Sequence, residues 1–230
     1  MGGKKLEAVF FDMDGVLVFS EPAHFSAWKE ALEETAGGVP EWFKYETIHG
    51  VADSKIAVLL GERIPAGADP YAVLERKKEI FLTRTVIPPE YPAGRDSFIK
   101  WTKDAGLKRA LVSSSSRAEV EKILRSQGLE NDFEIRVTME DVKNQKPDPE
   151  PYLKALAAAD VSPDAAAALE DSGAGVAAAE RAGLTVLAVV PSGGIIPARS
   201  PSTVIVPDFN AARKYLSSEV ISKVGLRKHG

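Results

Sequence analysis

The sequence predicts an α/β fold: a doubly wound parallel sheet with an α-helical domain inserted after the first strand. Three observations lead there. Six short β-rich runs recur along the chain, helical patterns separate the later runs, and the stretch from about Ser20 to Thr85 is helical with no convincing strand. At 230 residues the chain is long enough for one large domain or for a core with a smaller insert.

The β-rich runs are Leu6–Phe11, Lys108–Ser114, Glu134–Met139, Ala167–Asp171, Leu184–Val190 and Thr203–Val206. The first and fifth are nearly continuous apolar stretches, as strands covered on both faces are. Helical patterns follow at Arg117–Gln127, Pro149–Ala159 and Gly175–Ala182, and Gly128 and Gly183 stand where helices stop. Strands alternating with helices imply right-handed crossovers and parallel pairing. The alanine tract Ala165–Ala168 reads as the approach to a strand. Within the insert, amphipathic helices are expected at His24–Thr35, Ser54–Leu60 and Tyr71–Thr85, with Pro22 at one end and Pro88, Pro89 and Pro92 at the other. The expected division is a core of residues 1–18 and 87–230 and a helical cap of 19–86.

Composition narrows the function. A hydrophobic content of 44% is that of a globular chain, and a net charge of −4 gives no global positive field for a nucleic acid or an anionic membrane. The basic run Glu75-Arg76-Lys77-Lys78-Glu79 reads as a solvated helix face. Without cysteine there is no disulfide scaffold, thiolate zinc site or cysteine nucleophile. No apolar run reaches the length of a membrane span, no signal h-region is present, and Leu6 breaks the myristoylation pattern begun by Gly2. The expectation is a soluble, cytoplasmic chain, monomeric or weakly homo-oligomeric, with neither nucleic acid nor membrane as a partner.

Chemistry concentrates at strand ends. Asp12 and Asp14 follow the first strand, at the edge where open parallel sheets bind ligands, and Gly15 permits a tight turn behind them. Two close carboxylates repel unless a cation or a proton intervenes, and oxygen-only ligation suits magnesium. A helix cap or Asx turn is the alternative reading of such a pair. The hydroxyl run Ser113–Ser116 is either an anion seat or an N-cap cluster. Lys146 lies in Lys146-Pro147-Asp148-Pro149, whose prolines preset the backbone at a helix start. Glu170 and Asp171 end another apolar strand. The loop Gly173-Ala174-Gly175 after them scans as a weak dinucleotide-binding pattern, disfavoured because two acids would face the pyrophosphate.

In chain order these segments read D-M-D-G-V-L, L-V-S-S, K-P-D-P-x-x-Y and E-D-S-x-x-G. Together they resemble the haloacid dehalogenase superfamily over nearly the whole chain, in its helical-cap branch of β-phosphoglucomutase and sugar-phosphate phosphatases. The resemblance implies a Rossmann-like core and a magnesium-dependent phosphomonoester hydrolase of a small phosphorylated metabolite, working through an aspartyl-phosphate. A β-phosphoglucomutase-like mutase is the alternative. It implies Asp12 as nucleophile, Asp14 as general acid and base, Ser113 as a phosphoryl-oxygen ligand and Lys146 as the counter-charge. Magnesium would be held by Asp12, the main-chain carbonyl of Asp14, Asp171 and Glu170. The second aspartate separates this chain from the dehalogenating members, which lack it.

Substrate contacts are expected from Ser114, Ser115 and Arg117 beside the second motif, and from His24, His49 and Gly50 in the cap. Trp28 reads as cap core. The cap loop that supplies a lysine and an arginine in β-phosphoglucomutase has His49 and Asp53 at the corresponding positions. Arginine is the natural fork for a second phosphate, so its replacement by Asp53 favours hydrolysis over mutase action.

Overall fold

The computed structural model describes residues 5–48, 51–64, 68–190 and 203–225. Strands β1 (Ala8–Phe11), β2 (Lys108–Val112), β3 (Ile135–Val137), β4 (Ala166–Glu170), β5 (Thr185–Val189) and β6 (Thr203–Val206) form one sheet in the order β3-β2-β1-β4-β5-β6. Every pairing is parallel. The doubly wound α/β fold expected from the alternation is therefore present, and the strand order reverses direction at β1. The carboxyl end of β1 is thus the switch point at which such sheets open a crevice.

Alternation along β1 explains why helices cover both faces. Ala8 and Phe10 join a buried cluster with Val112, Tyr152, Ala168 and Val176, drawn from β2, β4, α7 (Glu150–Ala159) and α8 (Gly173–Arg181). Phe11 on the other face meets Phe98 of α5 (Arg95–Asp104) and Phe133 edge-on, with ring centroids 5.8 and 5.3 Å apart. Phe98 also contacts Phe209 of α9 (Phe209–Gly225). Helix α6 (Arg117–Ser126) follows β2 and starts in a capping box between Ser116 and Glu119. β3 is shorter than its β-rich run, because the chain turns into a single 3₁₀ turn at Met139–Asp141 capped by Thr138. Among the described residues no helix is long and apolar enough to cross a membrane.

The chain separates into two compact units, Met1–Val18 with Glu90–Gly230, and Phe19–Pro89. The described part of the second unit is helical: α1 (Glu21–Thr35), α2 (Tyr45–Ile48), α3 (Asp53–Gly61) and α4 (Pro70–Thr83). Helices α1 and α4 pack along one another, and His24 stacks on Phe81 with ring centroids 4.0 Å apart. The basic run on α4 is not a uniformly solvated face. Lys77 is fully buried, its ammonium bonded to Asp53 Oδ2 at 2.5 Å and His24 Nδ1 at 2.9 Å. Pattern alone misplaced it, because lysine at a buried position is viable once a carboxylate is built beside it.

Candidate active site

Three strand ends and one helix entrance converge in the core unit. Asp12 extends β1, its N–H donating to the Leu169 carbonyl at 3.0 Å. A tight turn follows, with Gly15 N–H on the Val18 carbonyl at 2.8 Å and Gly15 at φ +81°. Side chains disfavour that conformation, and space forbids one as well: a Cβ on Gly15 would lie 1.7 Å from Asp171 Oδ2. Gly175 does the same for the neighbouring acid, since a Cβ there would lie 1.9 Å from Glu170 Oε2. Gly175 of the loop that scanned as a dinucleotide-binding pattern thus makes room for a carboxylate, a reason unrelated to dinucleotide binding.

Lys146 organises the acids. Its ammonium donates to Asp12 Oδ1 at 2.5 Å, Glu170 Oε1 at 2.6 Å and the Val112 carbonyl at 2.9 Å. Those three acceptors use all three of its protons. Burial by itself would lower the Lys146 pKa, but Asp12 and Glu170 outweigh it and hold the ammonium charged above its ordinary range. Glu170 is fully buried, and burial followed by the Asp12 charge pushes its carboxyl up to about 7, against the pull of Lys146 and Tyr152. Tyr152 donates to Glu170 Oε1 at 2.5 Å. Burial and the nearby Glu170 and Asp12 charges raise the phenol well above its ordinary 10, so it keeps the proton that it donates to Glu170.

One oxygen each of Asp12, Glu170 and Asp171 lies within 4.8 Å of the others. Three carboxylates against one ammonium leave an excess of negative charge. An all-oxygen set with such an excess fits a hard divalent cation. The Asp14 side chain is outside this set. Its Oδ2 accepts from the Ser115 hydroxyl at 3.2 Å, and the ligand assigned to Asp14 above is its main-chain carbonyl.

The serine run divides its tasks. Ser113 is buried at the end of β2, its N–H on the Val137 carbonyl and its Oγ accepting from Ser115 N–H at 3.0 Å. Ser116 is the N-cap of α6, so the capping alternative holds for this residue. Ser114 is exposed. Arg117 is exposed too, its guanidinium bonded to both carboxylate oxygens of Asp141 at 2.8 and 2.7 Å. His49 and Gly50 lie outside the described residues.

In the helical unit, His24 belongs to a polar cluster. Trp28 is buried and donates from Nε1 to Asp53 Oδ1 at 2.9 Å. An ammonium can only donate, so His24 Nδ1 accepts from Lys77 and the ring proton lies on Nε2. Sequence reasoning gave no role to Tyr152, Lys77 or the Val112 carbonyl. Tyr152 stood inside a quoted motif, and a tyrosine on the buried stripe of α7 signals a hydroxyl in need of a partner.

Residues 9–189 match the family model for haloacid dehalogenase-like hydrolases. A phosphorylated carbohydrates phosphatase of Thermotoga maritima is 35% identical over 171 residues, covering 73% of this chain and 77% of that protein. A β-phosphoglucomutase of Bacillus subtilis is 31% identical over 177 residues, covering 74% and 76%. Among solved structures, CbbY from Rhodobacter sphaeroides in complex with phosphate superposes with a TM-score of 0.75 at 26% identity, covering 89% of this chain and 95% of that one. With the family model spanning the acidic cluster, Lys146 and the serine-bearing end of β2, the chain belongs to the haloacid dehalogenase-like hydrolases and is an enzyme of their phosphatase type.

Proposed function

We propose that this protein is a magnesium-dependent phosphomonoester hydrolase acting on a small phosphorylated metabolite of the sugar-phosphate class, through an aspartyl-phosphate on Asp12. The observation that carries the reading is the 2.5 Å contact between Lys146 and Asp12 inside an acidic cluster at the switch point. It orients the Asp12 carboxylate, which is almost entirely buried, and places a positive charge beside it.

In the first step an Asp12 oxygen forms a bond to phosphorus, the ester P–O bond breaks, and the leaving alkoxide takes a proton from Asp14. In the second, water gives its proton to Asp14 and attacks phosphorus. The P–O bond to Asp12 then breaks and inorganic phosphate departs. The Ser115 hydroxyl orients Asp14 for both transfers. Ser113 accepts from Ser115 N–H, which leaves its own O–H to donate to a phosphoryl oxygen. Lys146 offsets the charge that builds on the transferring group. Magnesium, held by Asp12, Asp171, Glu170 and the Asp14 carbonyl, would neutralise phosphoryl charge and position the phosphate.

Hydrolysis is favoured over mutase action by the state of two side chains. Arg117 Nη2 is already engaged by both oxygens of Asp141, and Asp53 stands where a second phosphate would call for arginine. Ser114, Ser115, His24, His49 and Gly50 are proposed substrate contacts, and the relatives named for phosphorylated carbohydrates support the substrate class. The test is phosphate release from a panel of sugar phosphates with magnesium, beside conversion of β-glucose 1-phosphate to glucose 6-phosphate. Release without conversion supports the hydrolase. Conversion without release would establish the mutase instead.

A further inference from the structure

We infer that Tyr152 is a positioning residue of the metal site, its hydroxyl fixing which oxygen of Glu170 is turned toward a cation. The inference rests on the magnesium reading above. Tyr152 sits on α7, six residues beyond Lys146, with neither it nor Glu170 exposed to solvent. Glu170 Oε1 accepts two hydrogen bonds, from Tyr152 at 2.5 Å and from Lys146 at 2.6 Å. Both lone pairs of Oε1 are therefore engaged.

The other oxygen has a different surrounding. Among the described residues Oε2 accepts from the Ser172 hydroxyl at 3.4 Å, and the carboxylate as a whole fills the gap left by the missing side chain of Gly175, where a Cβ would lie 1.9 Å from Oε2 and 2.2 Å from Oε1. Gly175 makes room for the carboxylate and two short donors hold its Oε1, while Oε2 has the long Ser172 contact, which leaves Oε2 for a cation or its bound water. Lys146 cannot replace the phenol, since its remaining two protons are committed to Asp12 and the Val112 carbonyl. Its ammonium also lies 5.3 Å from the centroid of the Tyr152 ring, so the ring backs the lysine while the hydroxyl holds the acid. A partner that orients a metal ligand is commonly worth about 10–100-fold in metal affinity.

Tyr152→Phe tests this by removing one oxygen and keeping the ring. Magnesium chloride is titrated calorimetrically into the full wild-type and Y152F chains without substrate, and the melting temperature of each metal-free protein is recorded alongside. The expected result is a magnesium Kd about 10-fold weaker or more in Y152F. The magnesium concentration for half-maximal phosphate release should rise by the same factor, with kcat at saturating magnesium changed far less. Equal affinities in the two proteins would overturn the inference even if the metal-free melting temperature fell, because that is what a purely structural phenol would give. Absence of binding by the wild type is a separate result and overturns the magnesium reading itself.

Discussion

Gly15 and Asp171 are in such close approach that no side chain fits between them: a Cβ on residue 15 would stand 1.7 Å from Asp171 Oδ2. The turn after β1 and the acid after β4 are therefore a single piece of construction. A glycine in the first motif is needed for a carboxylate in the fourth.

Gly15→Ala should accordingly act on the acid more than on the fold. The left-handed φ costs roughly 1–2 kcal/mol in a residue with a side chain, visible as a modest fall in melting temperature. Displacement of Asp171 should weaken magnesium binding and lower phosphate release well beyond what that fall accounts for. Titration calorimetry with magnesium, run beside thermal unfolding, separates the two effects. Unchanged magnesium affinity in G15A would mean that Asp171 is not a ligand.

Lys146→Met removes the ammonium that serves Asp12, Glu170 and the Val112 carbonyl while preserving much of its volume. Two buried carboxylates lose their counter-charge, a change commonly worth roughly 3–5 kcal/mol. Denaturant unfolding at neutral pH should show a loss of that order. Phosphate release should fall by about 10²–10³ through lost stabilisation of the transferring group. A variant as active as the wild type would remove Lys146 from the mechanism.

Much of this site was legible in the sequence, and the reasons are local. Asp12, Ser113, Lys146 and Glu170-Asp171 all stand at or just past the end of an apolar strand or at a proline-set helix start, and the parallel sheet brings those ends together. What the sequence concealed are contacts made by residues whose type gives the wrong expectation. Helix α5 buries Arg95 and Thr102 along with Phe98 and Ile99, so its apolar stripe is interrupted by polar residues. Arg95 is buried because it bonds the Leu17 carbonyl and Gln127. Lys77 read as solvated for the same reason, its neutralising partner Asp53 lying 24 residues away in the chain.

The Lys77–Asp53 pair gives the helical unit a pH dependence of known sign. Burial by itself would raise the Asp53 carboxyl, but the Lys77 charge, the His24 charge where that ring is protonated and the hydrogen bonds from Lys77 and Trp28 outweigh it and hold it below its ordinary 3.8. A lowered folded-state pKa contributes stability that is complete above about pH 4 and is lost as pH falls through the folded value. Asp53→Asn, which keeps an acceptor for Trp28, should cost roughly 2–4 kcal/mol at pH 7. That is somewhat under the full value for a broken buried pair, because the Asp53 side chain is 31% exposed. The stability difference between wild type and D53N, followed by thermal unfolding, should shrink as pH drops below about 4. A constant difference from pH 7 to pH 3 would show that the pair carries no net charge energy.

Covalent transfer to Asp12 is the claim on which the functional reading stands, and Asp12→Asn tests it with the least disturbance of shape. Magnesium-dependent phosphate release should fall roughly 10⁴-fold or more. Mass spectrometry of acid-quenched wild-type enzyme during turnover should place a phosphoryl group on the peptide containing Asp12, and D12N should yield none. Phosphate release by D12N within about ten-fold of wild type would contradict Asp12 as the nucleophile.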